Sequence, residues 1–139
     1  MIKGISHVTF VVSNLDRMTK LLTAIFNAEE IYSSGERTFS LAKERFFLIG
    51  GLWVAIMEGE GLREKSYNHL AFQIEEDEFE LFEERIRNLG VEIREDRPRV
   101  EGEGRSLYFY DYDNHLFELH TETLEHRLAQ YQNWNQTRS

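Results

Sequence analysis

Two segments of the chain share one pattern of side chains. ISHVTFVV, residues 5–12, and YNHLAFQI, residues 67–74, place a His, an apolar residue, a small residue, a Phe and a closing aliphatic residue in the same order. His7 therefore matches His69. This internal repeat constrains the fold more than any other feature, because two copies of one sequence unit are expected to form two copies of one structural unit.

Each copy continues with the pattern of an amphipathic helix. Apolar residues recur at the spacing of one helix face: Met18, Leu21, Leu22 and Ile25 in the first copy, and Phe79, Phe82, Ile86 and Leu89 in the second. Asp77 with Glu80 predicts a capping box at the start of the second helix. Gly90 follows the last apolar residue, where a C-terminal cap is expected.

Hairpin signals complete each copy. Gly50 and Gly51 separate two apolar runs, and Asn114 closes the turn DYDN between two more. The order of elements predicts an α+β fold made of two βαβββ units that form curved mixed sheets. After residue 121 apolar residues again follow a helical spacing, and the last residues, QNWNQTRS, are expected to fray.

The repeat also sets the predicted domain organisation. We expect one domain over residues 1–128, with units at approximately 1–60 and 65–121, followed by a C-terminal tail over 129–139. The length of 139 residues suits a single compact domain.

Composition excludes several classes of function. The chain carries 25 acidic and 16 basic residues, a formal net charge of -9, which argues against nucleic acid as a partner. No run approaches the roughly 20 apolar residues of a membrane helix. The absence of cysteine excludes disulfides and thiolate ligands. The amino terminus, MIKGISHVTFVV, lacks the pattern of a signal peptide, so we expect a cytoplasmic protein.

One carboxylate stands in a segment that is otherwise predicted to be buried. Glu118 lies between Phe117 and Leu119, and a buried carboxylate costs several kcal/mol or more unless it is paired. Side chains alternate between the faces of a strand, so His7 and His69 occupy equivalent faces of their units. Two histidines and one carboxylate on facing strands can bind a divalent cation, which is the predicted partner of Glu118.

The other histidines are interpreted separately. His120 shares a face with Glu118 and is either a rival ligand or a donor to a ligand. His115 in the turn and His126 on the last helix are predicted to be ordinary surface residues. By ligand type, two histidines and a glutamate would suit Zn(II), Ni(II), Co(II) or Fe(II).

With these features the chain resembles the vicinal oxygen chelate superfamily, which includes glyoxalase I, extradiol dioxygenases and fosfomycin-resistance enzymes. Within it the chain is similar to the FosX-type fosfomycin hydrolases, from Met1 to about Leu128. FNAEEIYSSGERTFSL, KERFFLIGGLWVAIMEGE and RPRVEGEGRSLYFYDYDNHLFELH are the stretches that carry this similarity.

The resemblance implies a homodimer in which units pair across chains. His7 of one subunit would then join His69 and Glu118 of the other around Mn(II), with the epoxide and phosphonate oxygens of fosfomycin in the open positions. The residues implied to contact or enclose this substrate are Thr9, Trp53, Ser106, Tyr108 and Arg127, with one of Arg94, Arg97 and Arg99 in place of the relatives' phosphonate-binding Lys; Arg97 is our candidate.

The resemblance also implies a role for Glu44 that its own neighbourhood would not reveal. In this family a glutamate within KERFF removes a proton from the water that attacks the epoxide carbon. The implied activity is Mn(II)-dependent hydration of fosfomycin to a diol. The alternatives are a thiol transferase acting on the same epoxide, an extradiol-type dioxygenase that uses non-haem Fe(II), and a non-catalytic antibiotic-binding protein of the same fold.

Overall fold

The computed structural model describes residues 1–36, 42–94 and 104–138. Three α-helices and eight strands occur within these residues, in the order β1 His7–Val12, α1 Leu15–Phe26, β2 Glu29–Ser33, β3 Glu44–Ile49, β4 Leu52–Glu58, β5 His69–Gln73, α2 Phe79–Leu89, β6 Ile93–Arg94, β7 Ser106–Tyr110, β8 Leu116–His120 and α3 Leu124–Arg138. A short 3-10 turn, Glu76–Glu78, leads directly into α2.

The eight strands form two sheets with the same connectivity. Sheet 1 has the order β1-β4-β3-β2 and sheet 2 the order β5-β8-β7-β6. In each sheet the first strand of the unit lies parallel to the last, and the other pairs are antiparallel. The predicted α+β fold with two βαβββ units in mixed sheets is therefore confirmed.

Local signals explain most of the element boundaries. The Asn14 side chain accepts a hydrogen bond from the Arg17 amide at 2.9 Å and so caps the start of α1. Gly90 takes a left-handed conformation with φ of 79° at the end of α2, as predicted. The capping box predicted at Asp77 is wrong. Asp77 lies inside the 3-10 turn, and Glu78 precedes α2 without a side-chain hydrogen bond.

Both predicted hairpin turns use backbone conformations with positive φ. Gly50 and Gly51 have φ of 53° and 83°, and Asn114 has φ of 68°. Glycine and asparagine reach this region at low cost, so these residues fix the turns between β3 and β4 and between β7 and β8.

Each sheet packs one face into the core. On the opposite face the first strand is exposed, whereas β7 and β8 of sheet 2 are largely buried on both faces. In sheet 1, α1 packs against β3 and β4, and α1 also contacts α2. The Phe117 ring lies 5.1 Å from that of Phe10 and 5.6 Å from that of Phe26, between centroids, and these contacts join the two units in one core. The exposed faces carry the alternate residues of β1 and β5, and we call these surfaces the open faces: His7, Thr9 and Val11 in sheet 1, and His69, Ala71 and Gln73 in sheet 2.

Helix α3 begins at Leu124 and continues to Arg138, beyond residue 128 where the domain was predicted to end. The last residues of the described chain are therefore helical where fraying was expected. The division into a domain and a tail stays a prediction. Among the helices of the described ranges, none combines the length and the apolar character that crossing a membrane requires. The cytoplasmic location also stays a prediction.

Candidate metal centre and cavity

The open face of sheet 2 brings His69 and Glu118 together. In the register of the sheet, Glu118 on β8 lies between Ala71 on β5 and Tyr108 on β7. The Nε2 atom of His69 is 3.0 Å from Oε1 of Glu118, whose side chain is only 8% exposed. His69 is thus the partner of the buried carboxylate within one chain.

The hydrogen bonds of His69 define what this pair can bind. Its Nδ1 atom is 2.7 Å from the carbonyl oxygen of Tyr67, and because a carbonyl only accepts, Nδ1 carries the proton. In the neutral ring Nε2 then presents a lone pair to Oε1 of Glu118. Two acceptors at this distance repel each other unless a proton or a cation stands between them. A carbonyl that accepts from the other ring nitrogen is also the usual support of a histidine that binds a metal.

A directed chain of hydrogen bonds holds the second oxygen of Glu118. Arg127 Nη2 donates to His120 Nε2 at 2.9 Å, and since guanidinium groups only donate, His120 carries its proton on Nδ1. That proton points to Ser106 Oγ at 2.6 Å, and Ser106 donates in turn to Glu118 Oε2 at 2.7 Å. Both nitrogens of His120 are therefore engaged. Its Nδ1–H group donates to Ser106, which holds Glu118, and neither nitrogen has a lone pair left for a metal ion.

A cavity of about 580 Å³ opens beside this pair. Its lining includes Tyr67, His69, Ser106, Tyr108, Glu118, His120, Glu122 and Arg127. The Tyr67 hydroxyl donates to the Tyr108 hydroxyl at 3.1 Å. Burial raises the pKa of Tyr108, and the hydrogen bond from Tyr67 adds to the effect. The Tyr108 phenol therefore remains protonated near neutral pH and can donate a hydrogen bond to an anion.

The open face of sheet 1 carries the remaining residues of the predicted site. His7 stacks on Trp53 with ring centroids 4.2 Å apart, and its Nδ1 atom lies 2.9 Å from Ser6 Oγ. Glu44 pairs with Met57, which pairs with Val11, so Glu44 lies on the same face as His7 and Thr9. The indole nitrogen of Trp53 is buried and has no hydrogen-bond partner among the described residues.

One chain does not bring the three predicted ligands together. Within the described ranges there is no cluster of three or more His, Asp or Glu side chains able to hold a metal ion. His69 and Glu118 form one part of such a set on sheet 2, and His7 lies on sheet 1. Within the described residues, His7 and the pair of His69 and Glu118 therefore remain apart.

The structure corrects one histidine prediction and leaves one arginine prediction untested. His115 is not an ordinary surface residue: its side chain is 11% exposed, and Nδ1 lies 2.7 Å from Oδ2 of the buried Asp111. His126 is exposed, as predicted. Arg94 donates to the Tyr110 hydroxyl at 2.9 Å, with its guanidinium 4.9 Å from the Tyr67 ring centroid. Arg97 and Arg99 lie outside the described residues.

Sequence reasoning missed Glu122 altogether. Its side chain is 2% exposed and contributes to the cavity wall, although it precedes α3 in a polar stretch that gives no sign of burial. A search for acids close after Glu118 could have selected it, but nothing would have distinguished it from Glu125.

Known proteins give an independent comparison. The family model described as Glyoxalase/Bleomycin resistance protein/Dioxygenase superfamily matches residues 4–119. The chain is 63% identical over 131 residues to the fosfomycin resistance protein FosX of Listeria monocytogenes, covering 94% of this chain and 98% of that protein. It is 41% identical over 138 residues to the metallothiol transferase FosB of Shouchella clausii, covering 95% and 89%.

A solved structure of one such relative has the same fold as this chain. A mutant of FosX from Listeria monocytogenes, in complex with Mn(II) and 1S,2S-dihydroxypropylphosphonic acid, superposes on this chain with a TM-score of 0.86 at 60% identity. The superposition covers 94% of this chain and 99% of that one.

Proposed function

The chain belongs to the glyoxalase/bleomycin resistance protein/dioxygenase superfamily, and on that premise we propose that it catalyses the Mn(II)-dependent hydration of fosfomycin to a diol, which confers fosfomycin resistance. The observation that carries the proposal is the approach of His69 Nε2 to Glu118 Oε1 at 3.0 Å, while the Tyr67 carbonyl holds the other nitrogen of His69. The diol-phosphonate bound to the solved relative is the kind of molecule that water gives when it opens the epoxide of fosfomycin.

We propose that His69 and Glu118 of one subunit and His7 of a second subunit hold the metal. The lone pairs on Nε2 of His69 and Oε1 of Glu118 fit a divalent cation, and the Tyr67 carbonyl and Ser106 hydroxyl fix both groups. When bound, Mn(II) supplies Lewis-acid stabilisation of the negative charge that develops as the epoxide opens. Because Nδ1 of His7 lies against Ser6 Oγ, its Nε2 atom is left for the shared site.

Glu44 is proposed as the base that accepts a proton from the attacking water. It is half-buried on the open face that also carries His7. The flanking cations are paired elsewhere: Arg45 binds Asp16 at 2.7 Å, and Lys43 binds Glu36 at 2.9 Å. Among the described residues no cation forms an ion pair with Glu44, so its carboxylate stays free to take up a proton.

Residues of both open faces are proposed to position the substrate. On sheet 2, the protonated phenol of Tyr108 and the guanidinium of Arg127 supply hydrogen bonds and positive charge for a phosphonate. On sheet 1, Thr9 and Trp53 are proposed to complete the wall around it. Ser106 is better placed to hold Glu118 than to reach the substrate, because its hydroxyl is already engaged on both sides. The contact proposed for Arg97 stays a prediction.

Phosphorus NMR of fosfomycin incubated with the Mn(II)-loaded protein, without any thiol, tests the proposed function. We expect the fosfomycin signal to be replaced by that of the dihydroxypropylphosphonate. Conversion only after a thiol is added would instead identify a thiol transferase. A protein that binds fosfomycin without converting it would be a sequestering protein, and oxygen uptake with a catechol would indicate a dioxygenase.

The shared site predicts that two inactive variants restore each other. His7→Ala and Glu118→Gln should each be inactive, because each removes one ligand from both sites of a homodimer. In a mixed dimer one site carries both substitutions and the other carries none. When the two variants are co-expressed in equal amounts and pair at random, about half of the dimers are mixed. About a quarter of wild-type activity should therefore be restored. No restored activity, with mixed dimers demonstrated by mass spectrometry, would place the ligands within one chain.

Ser106→Ala should weaken Mn(II) binding by about 10- to 100-fold, the usual cost of losing an outer-sphere partner of a metal ligand. The substitution removes the donor to Glu118 Oε2 and interrupts the link from His120. Titration of free Mn(II) by electron paramagnetic resonance measures the affinity. Ser66→Ala is the matched control, since that exposed hydroxyl only accepts a hydrogen bond from the Asn68 amide. Equal affinity in both variants would remove Ser106 from the support of the metal site.

A further inference from the structure

Glu122 lines the same cavity as Glu118, and its side chain is the more buried of the two. The proposed reaction gives Glu122 no role. Its Oε2 atom accepts a hydrogen bond from the Gly104 amide at 2.9 Å and lies 3.7 Å from His120 Nε2. Its Oε1 atom lies 3.4 Å from His126 Nδ1 and 3.8 Å from Arg127 Nε. Neither contact is a hydrogen bond, and Oε1 has no hydrogen-bond donor among the described residues.

An ionised carboxylate oxygen without a donor is costly in a site that is 2% exposed. Native proteins satisfy nearly all such groups, so an unsatisfied one beside a cavity calls for a donor from outside the chain. Oε1 is enclosed behind His126 and Arg127, so a ligand reaches it when one of these partly exposed side chains turns aside. The Gly104 amide fixes the carboxylate from the opposite side. A residue larger than Gly at position 104 would bring its Cβ to 2.6 Å from Glu122 Cβ, so the loop and Glu122 are closely fitted.

The neighbours of Oε1 define the kind of ligand that would satisfy it. Arg127 places a permanent positive charge beside the carboxylate, and His120 and His126 are the other titratable groups that face it. A ligand that carries both a negative oxygen for Arg127 and a hydroxyl hydrogen for Glu122 would match the two groups at once. A singly protonated phosphonate has both features, and a fully ionised one has only the first.

We propose that Glu122 is a specificity-determining residue that accepts a hydrogen bond from the P–OH group of a monoprotonated phosphonate, with Arg127 binding the ionised oxygen. This inference rests on the proposed function, because it concerns the same cavity. It adds a preference for the protonation state of the ligand. An oxyanion of equal charge that has no hydrogen to donate should bind more weakly.

Propylphosphonate and propanesulfonate test this preference, because neither contains an epoxide and binding is measured without turnover. At about pH 6, where even phosphate monoesters retain part of their second proton, an alkylphosphonate is a monoanion with one hydroxyl, and the sulfonate is a monoanion with none. Calorimetric titration of the Mn(II)-loaded protein should give at least about tenfold tighter binding of the phosphonate, the range expected for a hydrogen bond to a charged group.

Glu122→Gln should lower the ratio of the two affinities by about tenfold, because the hydrogen bond to the P–OH group is lost while any preference of Mn(II) for the phosphonate oxygens remains. The Gly104 amide still needs an acceptor, so the Gln carbonyl oxygen remains there and the NH₂ group takes the place of Oε1. Glu125→Gln is the control, because Glu125 is an exposed acid in the first turn of α3 and should retain the full preference. Circular dichroism confirms that each variant is folded.

Equal binding of the two ligands by the wild-type protein, or failure to bind the phosphonate, would overturn the proposal even if Glu122→Gln does not fold. An unchanged ratio of the two affinities in folded Glu122→Gln would overturn it as well. Diol formation is measured separately by NMR, so a protein that shows the preference but produces no diol would contradict the proposed reaction and not the role of Glu122.

Discussion

Replacing Glu44 by Gln is expected to lower the turnover of fosfomycin hydration by about 10² to 10⁴, the usual contribution of a positioned general base. The amide has nearly the same shape as the carboxylate but cannot accept a proton from water. Glu44 lies at the start of β3 on the open face of sheet 1, and its backbone N–H group donates to Ser34 Oγ at 3.0 Å. That backbone contact does not depend on the side chain, so the strand should keep its position.

The loss should appear in kcat, with Mn(II) and fosfomycin affinities close to wild type. Glu58→Gln is a matched control, because Glu58 lies on the adjacent strand, one residue after the Met57 that pairs with Glu44, and therefore faces the other way. That control should retain full activity. Diol formation by Glu44→Gln at the wild-type rate would exclude Glu44 as the base, and loss of Mn(II) binding would indicate a role in the metal site instead.

The fold could be predicted from the sequence because its strongest signals are local and occur twice. The pattern around His7 and His69 fixed the first strand of each unit, and Gly50 with Gly51 marked a turn that needs positive φ. The start of α2 could not be predicted in the same way. Asp77 and Glu80 have the spacing of a capping box, but the preceding turn is 3-10, so the residue that precedes the helix is Glu78.

The candidate site could be predicted where strand alternation determines it. His69 and Glu118 meet because adjacent strands place alternate residues on one face, and that follows from the sequence. Burial by tertiary packing does not follow. His115 occurs in a turn and Glu122 in a polar stretch, yet both contact residues distant in sequence. The His115 ring packs against Phe10 with centroids 5.0 Å apart, and Glu122 accepts a hydrogen bond from the Gly104 amide. The role of Glu44 came only from resemblance to a family.

The two open faces divide the proposed chemistry between them. Sheet 2 carries two of the proposed metal ligands, His69 and Glu118, and the groups proposed to bind an anion, including Tyr108 and Arg127. Sheet 1 carries the proposed third ligand, His7, and the proposed base, Glu44. No cluster of three potential ligands forms within the described part of one chain. If the proposed shared site is right, assembly of two subunits would control the metal site and the base together.

Glu118→Gln should abolish hydration and weaken Mn(II) binding by more than the roughly 100-fold that losing an outer-sphere partner costs, because it removes the only anionic ligand. The metal-free protein should not be destabilised. The carboxylate is 8% exposed and faces a histidine lone pair, whereas an amide NH₂ can donate to His69 Nε2 while its oxygen accepts from Ser106. A buried charge is thereby replaced by a satisfied neutral group, so the free energy of unfolding should stay equal or rise.

Thermal unfolding with and without Mn(II) separates these effects. Wild-type protein should gain about 2.7 kcal/mol when free Mn(II) is 100 times its dissociation constant, and Glu118→Gln should gain less than about 0.4 kcal/mol at the same concentration. Glu125→Gln, which changes an exposed acid of α3, should behave as wild type. Mn(II) stabilisation that persists in Glu118→Gln would mean that the ion binds elsewhere, and the pairing of His69 with Glu118 would then be an ordinary buried ion pair with a protonated histidine.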